Sequence, residues 1–247
     1  LHKEYRRQRQ MCIRDREYIA RIHTPFPEKF GIPRQSGLAA NAKGTIVFEP
    51  KFRNPDAVKG IEEFSHLWLL WEFSRARQET FHATVAPPRL GGKERKGVFA
   101  TRSPFRPNSI GLSCVKLEKV RIDENDGPLL VVSGVDLLDG TPIYDIKPYL
   151  PYADAHPDAK GGFADSHQSD RVEVDFPSEL LSRIPKELQE AAIEVLAQDP
   201  RAAYNKKPDY IYGMAFDTYD IRFVFQNDLL TVTDVTRRAE EGWKPVK

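Results

Sequence analysis

The sequence is poor in the residues that build metal sites and disulfide frameworks. It has only two cysteines among 247 residues, and its six histidines show neither Cys-x-x-Cys nor His-Glu-x-x-His spacing. These absences argue against a disulfide scaffold and a bound metal, and they predict a reducing compartment, the cytoplasm. No apolar run reaches membrane-spanning length and no signal-peptide pattern occurs, so no membrane association is expected.

Glycine-rich nucleotide motifs are also missing. The pair Gly91-Gly92 precedes a lysine, but the run that follows does not end in Lys-Ser or Lys-Thr as a phosphate loop does. The Gly-x-Gly-x-x-Gly fingerprint is absent, as is the alternation of strands and helices that it needs. These absences exclude a P-loop nucleotidase and a dinucleotide-binding fold.

Charge is balanced overall and clustered locally. The formal net charge is +1 and the sequence pI is about 7.9, so the whole chain is not a polycation. Residues 89–106, however, hold six lysines and arginines and a single glutamate. Such a cluster is either a solvated loop or a local nucleic-acid surface.

Residues 96–113, KGVFATRSPFRPNSIGLS, carry the densest set of polar binding groups. Pro104 and Pro107 fix their own backbone angles and disfavour helix in the preceding residue, which predicts a stiff loop between two strand-like runs. Arg102, Arg106 and Asn108 on such a loop are costly to hold in place unless their donors meet an anionic or amide-rich target. The pattern is typical of a binding site.

Short strand patterns dominate the first part of the chain and predict a mainly β fold. Because long helices do not separate them, they favour a closed or nearly closed single-sheet β-barrel over a doubly wound sheet. A short helix is predicted at residues 57–63. The predicted strands are at residues 18–23, 44–48, 66–73, 80–85, 97–100, 110–122 and 129–135.

After residue 151 the pattern changes to that of a small α+β C-terminal domain. A strand is predicted at 171–176, and helical spacing covers 178–198 with Pro185 dividing it. Three strands follow at 210–216, 219–226 and 229–235, with Asn227-Asp228 as a tight turn. The predicted domains are a basic extension at 1–16, either a disordered arm or non-native, a barrel at 17–152, a linker at 153–170 and the C-terminal domain at 171–247.

Several motifs in one order identify a family resemblance. Singly, each of these segments also fits a turn, a core histidine or a hairpin. Together they resemble the TrmO-type (TsaA-like) tRNA (adenine-N6)-methyltransferases from about residue 18 to residue 235. The motifs are IPRQSGL at 32–38, GIEEFSHLW at 60–68, APPRLGG at 86–92, GVFATRSPFRPNSIGL at 97–112, LDGTP at 138–142, DIKPYLP at 145–151 and AQDPRAAY at 197–204.

The resemblance implies a β-barrel that binds S-adenosylmethionine, forms a homodimer and methylates N6 of the threonylcarbamoyl-modified adenosine beside the anticodon of threonine tRNAs. The implied cofactor pocket comprises Pro33, Arg34, Gln35, His66, Leu67, Arg102, Leu112, Asp139, Gly140, Thr141 and Pro142. Either Arg102 or Arg34 suits the carboxylate of the cofactor, because a guanidinium fork pairs with a carboxylate in two-point geometry.

The acceptor nitrogen carries a carbonyl substituent and is a weak nucleophile, so a proton acceptor is expected near it. Asp145 is the first candidate and Asp136 the second, and both also fit structural hairpin acids. The tRNA partner, bound by its anticodon loop, is expected to contact Arg89, Lys93, Arg95, Lys96, Arg106, Asn108, Arg201 and Tyr204. The alternative is a non-catalytic, S-adenosylmethionine-dependent RNA-binding regulator.

Overall fold

A closed, six-stranded antiparallel barrel forms the first part of the chain. The computed structural model describes residues 17–76, 80–87, 94–167, 171–201 and 210–238, so the extension predicted at 1–16 lies outside the described residues. The order of strands around the barrel is β1-β2-β7-β6-β3-β8. Its strands are β1 (Ala20–His23), β2 (Lys43–Phe48), β3 (His66–Glu72), β6 (Ile110–Asp123), β7 (Gly127–Ser133) and β8 (Thr141–Pro148).

Alternating side chains fill the barrel interior, as the strand period requires. On β3, Leu67, Leu69 and Trp71 are buried, whereas the residues between them are partly exposed. The barrel makes room for the indole at Gly111 of β6, where an added Cβ would lie 2.3 Å from a ring atom of Trp71. A larger residue at position 111 would therefore displace this ring.

Strand β8 closes the barrel, and the sequence did not reveal it. The sequence predicts a turn-rich stretch with three acids at residues 136–148. Its Pro142 and Pro148 cannot donate to a strand ladder. Both prolines nevertheless pair within the sheet, Pro142 opposite Arg21 of β1 and Pro148 opposite Leu67 of β3. They stand second and last in β8. A proline at a strand end costs few ladder bonds.

Three local predictions need correction. The helix predicted at 57–63 is two 3-10 turns, Pro55–Val58 and Ile61–Glu63, because Gly60 between them has φ 82°. The strand predicted at 97–100 is β5 (Lys96–Gly97) followed by the 3-10 turn Val98–Ala100. The strand predicted at 80–85 is limited to β4 (Thr84–Val85), which pairs with β5 in a small separate hairpin.

A second, four-stranded sheet follows, in the order β10-β11-β12-β9. Pro185 divides the helical segment as predicted. Asn227 and Asp228, with φ of 50° and 63°, form the predicted two-residue turn between β11 and β12. The elements are β9 (Glu173–Asp175), α2 (Ser178–Leu181), α3 (Lys186–Ala197), β10 (Tyr212–Phe216), β11 (Tyr219–Gln226) and β12 (Leu229–Arg237), preceded by α1 (Pro151–Asp154) and a 3-10 turn at Gly162–His167.

The second sheet packs on the connection between β1 and β2. Phe26 of this connection is buried edge-on against Phe216 of β10, with ring centroids 6.0 Å apart. The side chain of Asn41 and its own backbone N–H both donate to the carboxylate of Glu194 on α3, at 2.8 Å. These contacts hold the β1–β2 connection against α3 and β10, and this connection carries the first predicted site motif.

Candidate active site

Three connections that carry predicted site residues meet at one end of the barrel. Because the strands alternate in direction, the β1–β2, β5–β6 and β7–β8 connections all emerge at the end where β1 finishes and β8 begins. They also bond to one another. The N–H of Gly37 donates to the carbonyl of Gly134 at 2.9 Å, and the N–H of Asp139 donates to the carbonyl of Phe26 at 2.8 Å.

The β5–β6 connection is braced by its own hydroxyl groups. Thr101 Oγ1 donates to the carbonyl of Val98 at 2.9 Å, and Ser103 Oγ accepts from the N–H of Phe105 at 3.2 Å. The guanidinium of Arg106 donates back to the carbonyl of Thr101 at 3.1 Å. These bonds stabilise the conformation of the loop.

The two arginines predicted for the cofactor carboxylate have different surroundings. Arg102 is exposed, and its guanidinium donates to Oε1 of Gln35. Arg34 is partly buried, and its guanidinium donates to the carbonyls of Asp199 and Arg201 at 3.3 and 3.4 Å. Arg34 therefore connects the barrel to the second part of the chain, and Arg102 is the more accessible anion-binding group.

Asp136 lies at the end of a buried polar chain that begins at an indole. Trp71 Nε1 donates to Ser113 Oγ at 3.0 Å, and Ser113 Oγ donates to Asp136 Oδ1 at 2.6 Å. Burial raises the pKa of Asp136 to about 6, although the hydrogen bonds from Ser113 and from the backbone of Ser36 and the charge of Arg102 oppose the rise. A carboxylate with a pKa near neutrality is suited to exchanging a proton with a substrate.

The LDGTP segment forms a tight turn ahead of β8. Asp139 Oδ1 accepts from the N–H of Thr24 at 3.0 Å and lies 3.2 Å from Nδ1 of His23. Gly140 has φ 73°, and no atom lies within 4 Å of where its Cβ would stand. Thr141 is buried and donates to the carbonyl of Leu138 at 2.6 Å. The bonds of Asp139 and Thr141 fix the turn, and the free space at Gly140 lets a ligand approach its Cα closely.

The remaining predicted cofactor residues do not join this cluster by any described contact. Leu67 faces the interior and is fully buried, whereas Leu112 on the outer face of β6 is 55% exposed. His66 contacts Ser65, whose Oγ lies 2.9 Å from Nδ1, and packs against Tyr149. Pro33 is buried in the β1–β2 connection, and Pro142 pairs with Arg21 of β1 within the sheet.

Asp145 lies away from the loop cluster. It lines a cleft of about 360 Å³ with Ile19 and Phe48, at the end of the barrel where β1 begins and β2 finishes. Its carboxylate lies 3.0 Å from Lys147 Nζ and accepts from the N–H of Ile146 at 2.9 Å. The geometry gives Asp145 the surroundings of a structural acid and favours Asp136 as the proton acceptor.

Of the predicted tRNA contacts, four lie on the β4–β6 connection and are described. Arg95 donates to the hydroxyl and carbonyl oxygens of Thr84 at 2.8 and 2.7 Å, and Lys96 pairs with Glu94 at 2.5 Å. Asn108 is exposed at the base of the loop, two residues before β6 and two residues after Arg106. The predicted contacts Arg89, Lys93 and Tyr204 fall outside the described residues.

Arg201 has the surroundings of a structural residue. Its side chain is 2% exposed and forms two hydrogen bonds with Asp199, at 2.7 and 2.9 Å. The guanidinium also lies over the ring of Phe225, 3.4 Å from the centroid. A tRNA phosphate would have to displace both partners, so the geometry places Arg201 in the packing of the second sheet.

Arg201→Ala is expected to lower the free energy of unfolding by about 3–5 kcal/mol, because it removes the guanidinium from both Asp199 and Phe225. Urea unfolding checks this. The control is Arg222→Ala, which breaks an exposed pair with Asp220 and should cost less than about 1 kcal/mol. Unchanged stability with weakened tRNA binding would instead return Arg201 to the RNA surface.

Sequence reasoning missed Trp71 and Ser113 as members of the site. A faint signal existed for Ser113, a hydroxyl residue in an otherwise apolar alternation along β6. Its bond to Asp136 joins residues 23 apart, which no local pattern reveals.

Among the residues with described coordinates, no group of three or more His, Cys, Asp and Glu side chains could hold a metal ion. Within the same ranges, no helix is long and apolar enough to cross a membrane.

Fold and candidate site together define a closed β-barrel protein with a cluster of polar side chains at one end and a basic connection attached there. The profile of the TrmO N-terminal domain, described as the tRNA-methyltransferase O N-terminal domain, matches residues 21–155, and that of the TrmO C-terminal domain matches residues 169–238. The chain belongs to the tRNA-methyltransferase O family. This confirms the predicted family, the mainly β fold and the enzyme class, a tRNA methyltransferase.

Individual relatives agree with the family assignment. The tRNA (adenine(37)-N6)-methyltransferase of Escherichia coli K12 is 45% identical over 196 residues, which are 77% of this chain and 83% of that protein. A Pseudomonas aeruginosa PAO1 protein, provisionally named S-adenosylmethionine-dependent methyltransferase RcsF, is 42% identical over 88% of this chain and 95% of its own length. The crystal structure of TrmO from Pseudomonas aeruginosa superposes with a TM-score of 0.74 at 37% identity, covering 92% and 99% of the two chains.

Proposed function

We propose that this chain transfers a methyl group from S-adenosylmethionine to N6 of the threonylcarbamoyl-modified adenosine beside the anticodon of threonine tRNAs. The coarser activity, N6-methylation of tRNA adenine 37, is the one named for the Escherichia coli, Eikenella corrodens and mouse relatives. Dependence on S-adenosylmethionine is in the provisional name of the Pseudomonas aeruginosa relative. The modified nucleoside, the threonine tRNAs, the homodimer and the cytoplasmic location remain predictions.

The observation that carries the proposal is the convergence of Arg102, Gln35, Asp136 and the Gly140 turn at one barrel end. These groups fit S-adenosylmethionine. Arg102 presents an exposed guanidinium for a carboxylate, with the Gln35 carboxamide beside it. Gly140 bonds through its own N–H and carbonyl to Ile22 and Arg21, and no atom lies within 4 Å of where its Cβ would stand, so an adenine or ribose can pack against its Cα. The cofactor, when bound, supplies a methyl group already activated by its sulfonium.

The chain's own residues must then orient the acceptor nitrogen and accept its proton. We infer that Asp136 performs the second task, since its carboxylate accepts a hydrogen bond from Ser113 and lies at the same barrel end as Arg102. At neutral pH a group with a pKa of about 6 is mostly ionised, so it can accept a proton as the new N–C bond forms. Orientation of acceptor and donor in one site can contribute about 7–11 kcal/mol to the lowering of the barrier.

The tRNA approaches the same barrel end through its anticodon loop. Arg106 and Asn108 stand on the braced loop next to Arg102, and Arg95 and Lys96 lie on the hairpin behind them. Basic groups in this arrangement hold the phosphates of a single-stranded loop while the target base is turned outward to react.

Transfer of a labelled methyl group tests the proposal. Purified threonine tRNA is offered with and without its threonylcarbamoyl group, and the label is traced to the nucleoside. Incorporation is expected only into the modified tRNA. Equal incorporation into both would refute the threonylcarbamoyl requirement while leaving adenine methylation intact. Tight binding of cofactor and tRNA without incorporation would favour the regulatory RNA-binding protein.

A further inference from the structure

Three phenylalanine side chains stand in solvent on the connection between β3 and β6. The exposed fractions of Phe81, Phe99 and Phe105 are 58%, 73% and 45%. The connection leaves and re-enters the barrel at the end that holds Arg102 and Asp136, and its neck is closed by a bond of 2.9 Å from the N–H of Phe73 to the carbonyl of Ser109. The connection is therefore attached to the barrel at the candidate active site, and Phe105 lies three residues from Arg102 along it.

The local structure keeps two of these rings exposed and parallel. Phe81 and Phe99 stack, with centroids 6.4 Å apart and an interplanar angle of 23°. The neighbouring Val98 is buried, and its N–H donates to the carbonyl of Ala83 at 2.9 Å. Because the side chain of Val98 is buried, the next side chain of the 3-10 turn, Phe99, faces the solvent.

The surroundings of the rings are basic. The described part of the connection, residues 73–76, 80–87 and 94–109, contains five lysines and arginines and one acid, Glu94, which pairs with Lys96. The described contact of Arg106 occupies one of its five N–H donors. This guanidinium thus has donors left for phosphate oxygens, whereas Arg102 is assigned to the cofactor carboxylate.

We propose that Phe81, Phe99 and Phe105 form a stacking platform for unpaired bases of the tRNA anticodon loop. The platform rests on the proposed function, because that function supplies the RNA. Aromatic faces flanked by arginine and lysine are how proteins hold single strands, since every base offers a π face and every nucleotide a phosphate. The positive charge of the described connection favours RNA over a protein partner, because a nucleic acid supplies one phosphate counter-charge for every nucleotide.

Substitutions at Phe99 separate stacking from general hydrophobic contact. Phe99→Ala is expected to weaken binding of a labelled anticodon stem-loop roughly tenfold in fluorescence anisotropy. Phe99→Trp should restore the affinity, whereas Phe99→Leu, apolar but not aromatic, should not. The matched control is Tyr152→Ala, which removes a ring that is 87% exposed on α1 and should leave RNA affinity unchanged.

Two further measurements on the same variants exclude other causes of an affinity loss. Cofactor binding by calorimetry and oligomeric state by sedimentation should be those of the wild type. Full rescue of RNA affinity by Phe99→Leu would overturn the platform and indicate general hydrophobic contact with the RNA. Loss of the wild-type oligomeric state in Phe99→Ala would overturn it and identify a protein–protein surface. Wild-type affinity in Phe99→Ala alongside normal methyl transfer would overturn the platform and leave the proposed function standing. A wild-type protein that neither binds the stem-loop nor methylates tRNA would refute the proposed function, and the platform with it.

Discussion

Asp136→Asn is expected to lower the rate of methyl transfer by about 10²- to 10⁴-fold at saturating cofactor and tRNA. Asparagine keeps the size of the side chain and can still accept the hydrogen bond from Ser113, but it cannot take up the proton of the acceptor nitrogen. Single-turnover transfer of a labelled methyl group measures the effect on the chemical step alone.

The pH dependence gives this prediction a second readout. Because the pKa of Asp136 is about 6, the rate should rise with pH up to about 6 and then level off. At pH 5 it should be about tenfold below the plateau, since only about a tenth of the carboxyl groups would be ionised. The residual activity of Asp136→Asn should show no such rise.

The free energy of unfolding should fall as pH rises, whereas the rate of methyl transfer should increase. Between pH 4 and pH 6 the carboxyl group of Asp136 is ionised in the unfolded chain but still protonated in the folded one, so stability falls as pH rises. The raised pKa corresponds to about 3 kcal/mol in the free energy of unfolding. This contribution is present below pH 4 and is lost by pH 7. Relative to wild type, Asp136→Asn should therefore gain stability across this interval in urea unfolding.

Asp145→Asn is the matched control, because it makes the same change at the other barrel end. It is expected to retain the wild-type rate within a few-fold, since Asp145 pairs with Lys147 on the outer face. The reverse result, with Asp145→Asn inactive and Asp136→Asn active, would restore the role that sequence reasoning gave to Asp145.

Arg102→Ala carries the second large expected effect. Loss of a charge-assisted bond to the cofactor carboxylate should weaken binding of S-adenosylmethionine by roughly 10- to 150-fold, which corresponds to about 1.5–3 kcal/mol. Arg102→Lys should recover only part of the affinity, because an ammonium lacks the two-point fork. Calorimetry with the cofactor alone measures both variants, without any contribution from tRNA.

Arg34→Ala is the comparison that decides between the two arginines. Arg34 donates to the carbonyls of Asp199 and Arg201, so its loss should affect the attachment of the second sheet more than cofactor affinity. An Arg34→Ala protein that folds normally but loses cofactor affinity, beside an unaffected Arg102→Ala, would transfer the carboxylate site to Arg34.

The sequence alone determined the features that depend on neighbours along the chain. Alternating apolar residues specified most barrel strands, because a strand exposes its two faces at a period of two. Pro185 divided the helical segment and Asn227-Asp228 formed the β11–β12 turn, since both follow from allowed backbone angles. The order of motifs gave the family, which the two domain profiles confirmed.

Tertiary structure decided the features that depend on contacts between distant residues. Strand β8 was hidden because its prolines argue against a strand locally, whereas pairing with both β1 and β3 stabilises it. The preference for Asp136 over Asp145 likewise required the fold. The two acids are nine residues apart in the sequence, yet they lie at opposite ends of the barrel because β8 carries the chain along its length. Burial raises the pKa of one, and a lysine pairs with the other, because only the folded chain determines which groups surround each carboxylate.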